Sequence, residues 1–168
     1  MAEAFIAGRK HAPRQLGNVL VLGLGKSSSI AVEYCLGPAA QRVASVTIAA
    51  GADTPKNRAQ GEAFAARGAR VLYGEAVPAD AVPMDAQRFD VCIASPGISE
   101  FGEFYGSARR CSAEVISEVE FAWRESAADS RWVAITGTNG KTTTTALCAH
   151  LLQSCGLRAA AVGNIGDT

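Results

Sequence analysis

The chain has 168 residues, 48% of them hydrophobic and 19% charged, a length suited to one domain or to one domain and part of another. That much apolar side chain can build a core, which excludes wholesale disorder. Sixteen basic and sixteen acidic side chains cancel, which argues against bulk attraction to nucleic acid or to an anionic membrane.

The N-terminal stretch MAEAFIAGRKHAPRQLG has no apolar core of a secretory signal. No apolar run approaches the roughly 20 residues that span a bilayer. The five cysteines (Cys35, Cys92, Cys111, Cys148 and Cys155) form no CxxC pair, and two separated histidines offer little to zinc. Free thiols in a reducing, cytoplasmic setting are the expectation.

In chain order, Asn18 to Leu22 (NVLVL) predicts a strand ending at the glycine-rich turn Gly23-Leu24-Gly25. Ser28 to Leu36 carries apolar residues at helical spacing and stops at Gly37-Pro38. Val43 to Ala49 predicts a second strand, 57–66 a helix, and 69–73 a third strand. Val91 to Ala94 (VCIA) is a fourth strand, closed by Ser95-Pro96-Gly97. A helix over 105–110, a strand over 113–116 and a helix over 119–127 follow. Short apolar strands alternating with helices predict an α/β fold, a parallel sheet covered on both faces.

The small, polar stretch Ala127-Ala128-Asp129-Ser130 looks like a connector. Beyond it the pattern predicts a strand over 132–136, a glycine-rich loop, a helix over 142–155 and a strand over 159–162. Two strands and one helix cannot cover a sheet of their own. They complete the first sheet, or they begin a further domain.

The strongest chemical signal is Ile135-Thr136-Gly137-Thr138-Asn139-Gly140-Lys141-Thr142-Thr143-Thr144. A predicted strand enters a glycine turn and Lys-Thr opens a helix, so backbone N–H groups and the helix N-terminus converge on phosphate oxygens. Lys141 suits the β and γ phosphates, and the Thr142 hydroxyl suits Mg²⁺. The strict P-loop pattern asks for glycine where this chain has Ile135. A nucleoside triphosphate site is nevertheless the reading.

Three weaker loops follow predicted strands. Gly23-Leu24-Gly25-Lys26-Ser27-Ser28-Ser29 is either a phosphate-binding turn or a packing turn. A dinucleotide fingerprint would want a smaller residue than Ser28, and an acid where Ala49-Ala50-Gly51 stand, with Asp53 coming late. Ser95, in Ser95-Pro96-Gly97-Ile98, either donates its hydroxyl to a ligand at a strand end or simply turns the chain. Gly163-Asn164-Ile165-Gly166 presents an amide between glycines. Glu118 and Glu120 read as a solvated helix cap. Trp123, Trp132 and His150 read as packing residues, and Arg109-Arg110 is too short for a nucleic-acid patch.

Together and in this order, VLVLGLGKSS, ASPGIS, ISEVEFA, VAITGTNGKTTTT and VGNIG resemble the Mur ligases of peptidoglycan synthesis. The resemblance runs from Val19 to Gly166, and GLG followed by SPGI tilts it towards the member that adds D-glutamate to UDP-N-acetylmuramoyl-L-alanine. It implies a Rossmann-like domain over 1–117 for the UDP-substrate and the beginning of an ATP-binding P-loop domain over 118–168. Gly25, Lys26, Ser27, Ser95 and Asn164 fall on the substrate positions. Gly137, Thr138, Asn139, Gly140, Lys141, Thr142 and Thr143 fall on the ATP loop, with Lys141 and Thr142 as the catalytic pair and Thr142 on Mg²⁺. The implied chemistry is an ATP-dependent ligation through an acyl phosphate.

Where family members usually carry glycine in the first turn this chain has Ser28. Their polar residues after the second strand fall here on Ala49-Ala50-Gly51. Family ligases continue through further metal ligands, a modified lysine and a third domain, so the resemblance implies the N-terminal portion of a ligase, inactive alone. A whole ligase is expected to be a monomer, whereas open sheet edges in a fragment invite pairing with a second copy. The alternatives are an L-alanine-adding ligase, or a non-catalytic module that binds a UDP-sugar or a dinucleotide.

Overall fold

The computed structural model describes residues 4–163 and divides into two compact units, Met1–Ala128 and Asp129–Thr168. The first holds a five-stranded parallel sheet: β1 (Gly17–Leu22), β2 (Val43–Ala49), β3 (Arg70–Leu72), β4 (Val91–Ala94) and β5 (Val115–Ser117). Their spatial order is β3-β2-β1-β4-β5. The order therefore reverses between β1 and β4, where Val19 pairs with Val91 and Leu22 with Ala94. In an open α/β sheet that crevice, beyond the carboxyl ends of the strands, is where ligands bind.

Helices α1 (Lys26–Leu36), α2 (Pro55–Ala65), α3 (Glu103–Arg110) and α4 (Glu118–Glu125) connect the strands. Alternation along β1 sends Val19 and Val21 into one core with Val32 and Cys35 of α1, Phe64 of α2 and Phe121 of α4. Leu20 and Leu22 enter the opposite core with Phe89, Cys92 and Ala108 of α3. Both faces are covered, which is why β1 and β4 read as continuous apolar runs. A fully buried Leu, Ile or Val contributes roughly 1.5–3 kcal/mol, whereas solvent screens an exposed ion pair such as Arg58–Asp53, which adds little. The two cores hold this unit, not its surface pairs.

Local signals account for the helix starts. Thr54 caps α2 by accepting from the Asn57 N–H at 3.2 Å, with Pro55 in the first turn. Ser117 caps α4 by accepting from the Glu120 N–H at 3.1 Å. Because α4 packs on α1, β4 and β5, it belongs to the first unit. The division falls after Ala128 rather than at the 117/118 boundary drawn from the sequence.

In the second unit α5 (Lys141–Ser154) forms, but the strands expected over 132–136 and 159–162 are not assigned. A strand exists by pairing, and neither stretch has a ladder partner among the described residues. All five strands of the sheet come from the first unit. Trp123 and Trp132, expected to pack, are 39% and 38% exposed. Trp123 lies alongside the His11 ring at 6.5 Å between centroids. No helix among the described residues is long and apolar enough to cross a membrane.

Candidate functional site

The carboxyl end of β1 runs into Gly23, whose φ of +93° suits only glycine. Its N–H donates to the Ala49 carbonyl at 2.8 Å, fastening the turn to the end of β2. The Ser95 N–H donates to the Leu22 carbonyl at 3.2 Å, and the Ile98 N–H to the Ser95 carbonyl at 3.0 Å, which folds the loop after β4 onto the same place. A Cβ on Gly23 would stand 2.9 Å from Ile98 Cδ1, 3.5 Å from Ser95 Cβ and 3.6 Å from Ser28 Oγ. The structure thus brings the glycine turn and the Ser95 loop together at the switch point.

Gly25 is the N-cap of α1, with no side-chain cap and no acid in the first turn. The opening N–H groups of the helix therefore have no side-chain cap, and they and the helix dipole favour an anion. Ser28, 1% exposed, has a hydroxyl without a hydrogen-bond partner, aimed at the turn. A buried hydroxyl left unpaired costs about 1–3 kcal/mol. Lys26 is exposed and Ser27 half-buried beside it. Ser29 is occupied, donating to the Gly25 carbonyl at 2.7 Å and accepting from Gln60 Nε2 at 2.6 Å.

Glu118 was not legible as a site residue. It opens α4 immediately after β5, and one carboxylate oxygen, Oε2, is buried without a partner. Burial pushes its carboxyl above the usual range, while the polar Ser27 side chain acts the other way. The solvated-cap reading holds only for Glu120, which is exposed and paired with Arg124 at 2.7 Å. The available signal was position: Glu118 follows a strand end on the carboxyl side of a parallel sheet, next to β4.

Beyond β2, Asp53 pairs with Arg58 through two contacts of 2.6 Å. Asn57 Nδ2 donates to the carbonyls of Ala50 and Ala52 at 3.2 and 2.8 Å. The acid that a dinucleotide ribose would need is committed to the first turn of α2.

In the second unit Gly137 and Gly140 take φ of +152° and +75°, and Gly140 is the N-cap of α5. Lys141 Nζ donates to the carbonyls of Gly137 at 2.5 Å and Thr138 at 3.3 Å, so its ammonium closes over the loop. α5 has no side-chain cap, and the backbone donors of its first turn, at Lys141, Thr142 and Thr143, match phosphate oxygens. Thr138, Asn139, Thr142 and Thr143 are exposed. Thr142 offers one hydroxyl, and among the described residues no group of three His, Cys, Asp or Glu could hold a metal. Asn164 lies outside the described residues.

Residues 135–168 match the Mur ligase middle domain. A UDP-N-acetylmuramoylalanine–D-glutamate ligase of Microcystis aeruginosa is 35% identical over 151 residues, covering 90% of this chain and 32% of that protein. The enzyme of the same name from Thermobifida fusca is 37% identical over 148 residues, 88% of this chain and 30% of its own. That of Gloeobacter violaceus is 38% identical over 149 residues, 88% and 31%. Over most of its length this chain is similar to Mur ligases of that name, and its residues 135–168 match the family's middle domain. It spans about a third of the length of the relatives it matches. No solved structure matches significantly. The middle-domain match begins at Ile135, just ahead of the GTNGKT loop.

Proposed function

We propose that this chain contributes the UDP-substrate site and the ATP loop of a ligase that joins D-glutamate to UDP-N-acetylmuramoyl-L-alanine in the cytoplasm. The observation that carries the reading is the meeting of the Gly23 turn and the Ser95 loop at the β1/β4 switch point, under an uncapped helix N-terminus and an unpaired Ser28 hydroxyl. Those are donors for a diphosphate. Gly25, Lys26, Ser27 and Ser95 surround the position, and Asn164 is assigned to the same substrate by its motif. The relatives' shared name supports the choice of amino acid.

The ATP loop is Gly137 to Thr143. Lys141 would exchange its loop carbonyls for the β and γ phosphates, and Thr142 would hold Mg²⁺, which neutralises phosphate charge. In the overall reaction the γ-phosphoryl group passes to the substrate carboxylate. The D-glutamate amine then attacks the acyl carbon, forming the amide and releasing phosphate.

The test is a calorimetric titration of the chain with UDP-N-acetylmuramoyl-L-alanine, UDP-N-acetylmuramate and NAD. Preference for the L-alanyl compound is expected. NAD binding without UDP-sugar binding would replace the ligase by a dinucleotide module. Preference for UDP-N-acetylmuramate would move the assignment to the L-alanine-adding ligase.

A further inference from the structure

The last carbonyls of an α-helix have no donor inside the helix, and its carboxyl end favours cations. At the end of α4 that need falls on Trp123, Arg124 and Glu125. Ser126 serves the first, its N–H and its hydroxyl donating to the Trp123 carbonyl at 3.2 and 2.7 Å. The N-terminal segment serves the other two. The His11 N–H donates to the Arg124 carbonyl at 3.0 Å, and the Arg9 guanidinium donates to the Glu125 carbonyl. The run Arg9-Lys10-His11 thus stands at the negative end of α4, and neither the substrate reading nor the ATP reading has a use for it.

The contacts continue past the helix. The Lys10 N–H donates to the Ser126 carbonyl at 3.0 Å, Arg9 forms an antiparallel bridge with Ala127, and the Ala128 N–H donates to the Gly8 carbonyl at 2.9 Å. Lys10 Nζ reaches the Ala128 carbonyl at 3.3 Å. The segment that makes these bonds is itself a hairpin: Phe5 bridges Pro13, the Ile6 N–H donates to the Ala12 carbonyl at 2.8 Å, and the Arg14 N–H to the Ala4 carbonyl at 3.1 Å. Its turn closes from the Arg9 N–H to the Ile6 carbonyl at 3.3 Å, with Gly8 as third residue at a φ of +78°. The His11 ring lies 4.0 Å from the Phe5 ring and 6.5 Å from the Trp123 ring between centroids, and Ala12 is fully buried.

We propose that residues 5–13 are a strap that holds the chain beyond α4 as far as Ala128, so that the N-terminal segment sets where the tether to the second unit begins. Ala127 and Ala128 are exposed, so burial does not fix them; backbone pairing with Gly8 and Arg9 does. That pairing ends at the last residue of the first compact unit. Left loose, Ser126 to Ala128 would lengthen the tether by up to roughly 10 Å. Tether length sets the effective concentration of one linked module around another, so the strap governs how far the second unit can range. What this does for ligation rests on the UDP-substrate and ATP readings above; the strap itself rests on neither.

The experiment is nitrogen-15 relaxation and amide exchange on the whole natural chain and on a chain lacking residues 2–11. That deletion keeps the buried Ala12, and Pro13, whose carbonyl accepts from Arg42. In the natural chain Ser126, Ala127 and Ala128 should show order parameters of roughly 0.85, like the strands of the sheet. Without the strap they should fall below about 0.6 while β1 and β4 keep their order. Exchange of the Ala128 amide should quicken on the order of tenfold or more, as its bond to Gly8 is lost. The amides of α5 should tumble faster relative to those of the sheet.

Lys10→Pro is the second variant. It removes the N–H and the ammonium that Ser126 and Ala128 accept from, leaves the rest of the chain in place, and should also free the Ala128 amide. The natural chain is a test without either variant, because low order at 126–128 there overturns the strap. Undiminished order at 126–128 in a shortened chain that keeps its sheet overturns it as well. Lost order with unchanged tumbling of α5 overturns the strap's control over the second unit. No readout involves a nucleotide, so a failure of the UDP-substrate reading would leave all of these results as they are.

Discussion

The two ends of the five-stranded sheet partner their carboxylates differently, although polar atoms stay unpaired at both, Arg42 Nε and Ser112 Oγ among them at the amino ends. At the amino ends, Glu125 of α4 accepts from Arg42 at 2.7 Å on each carboxylate oxygen and from Tyr34 Oη at 2.8 Å. Arg42 also donates to the Pro13 carbonyl at 2.6 Å, and Arg9 donates to the Glu125 carbonyl. The clamp ties the N-terminal segment, α1, the start of β2 and the end of α4 together. At the carboxyl ends, Ser28 Oγ and Glu118 Oε2 are buried with nothing to bond, and α1 begins without a cap. Groups paired within the fold stabilise it. Groups left unpaired cost stability, and those beside the Gly23 turn lie where a ligand would supply partners.

The largest way to break this contrast is Glu125→Ala. It strands a guanidinium whose side chain is 15% exposed, and removing one partner of a buried pair costs about 3–5 kcal/mol. Urea denaturation should show a loss of that order. Chains that remain folded should bind the UDP-substrate with unchanged affinity, because the clamp is at the far end of the sheet. A large affinity change with little loss of stability would dissolve the distinction between the ends.

Ser28→Ala works in the other direction. The change removes a hydroxyl that bonds nothing, so the free chain should lose no stability and should gain on the order of 1 kcal/mol. UDP-substrate affinity should drop by about tenfold, the equivalent of one hydrogen bond of about 1.4 kcal/mol. Stability and binding then move in opposite senses, as expected where a site is kept unsatisfied for its ligand. If instead stability fell by a kilocalorie or more, the hydroxyl would be bonded in solution and Ser28 would belong to the scaffold.

The sequence carried the scaffold further than the site. β2 and β4 were read with their observed bounds, Val43–Ala49 and Val91–Ala94, because strands buried on both faces are short apolar runs ended by Gly or Pro. The glycine turn and the Ser95 loop were both readable. Their contact follows from strand order, which no local pattern encodes. Glu118 was misread because a carboxylate at a helix start is usually solvated, and its burial comes from α4 lying beside α1. The stretches 132–136 and 159–162 show the converse: local strand character was present, but pairing belongs to a sheet and not to a segment. The Arg42–Glu125 clamp had no signal at all, since its members are distant in sequence and of common types.

The smallest expected effect sharpens the stable end by pH. Burial first, and then its hydrogen bond and charge contact with Glu125, raise the Tyr34 hydroxyl above its ordinary value. Arg9 and Arg42 pull it back in part. A group whose folded value exceeds its unfolded value of about 10 adds stability that is complete below about pH 10. That stability fades as pH rises through the folded value, because the unfolded chain releases the proton first. Urea midpoints from about pH 8 to about pH 11 should therefore fall more steeply in the natural chain than in Tyr34→Phe. Cys35, which burial pushes up to about 12, contributes in the same direction to both chains and cancels in the difference. The difference should be well under the Glu125→Ala loss, since Tyr34 is only half-buried and solvent screens part of the interaction. Parallel pH profiles would mean that the Tyr34 hydroxyl bonds water rather than Glu125. The clamp would then be an arginine–carboxylate pair alone, and the Glu125→Ala loss would have to come entirely from Arg42.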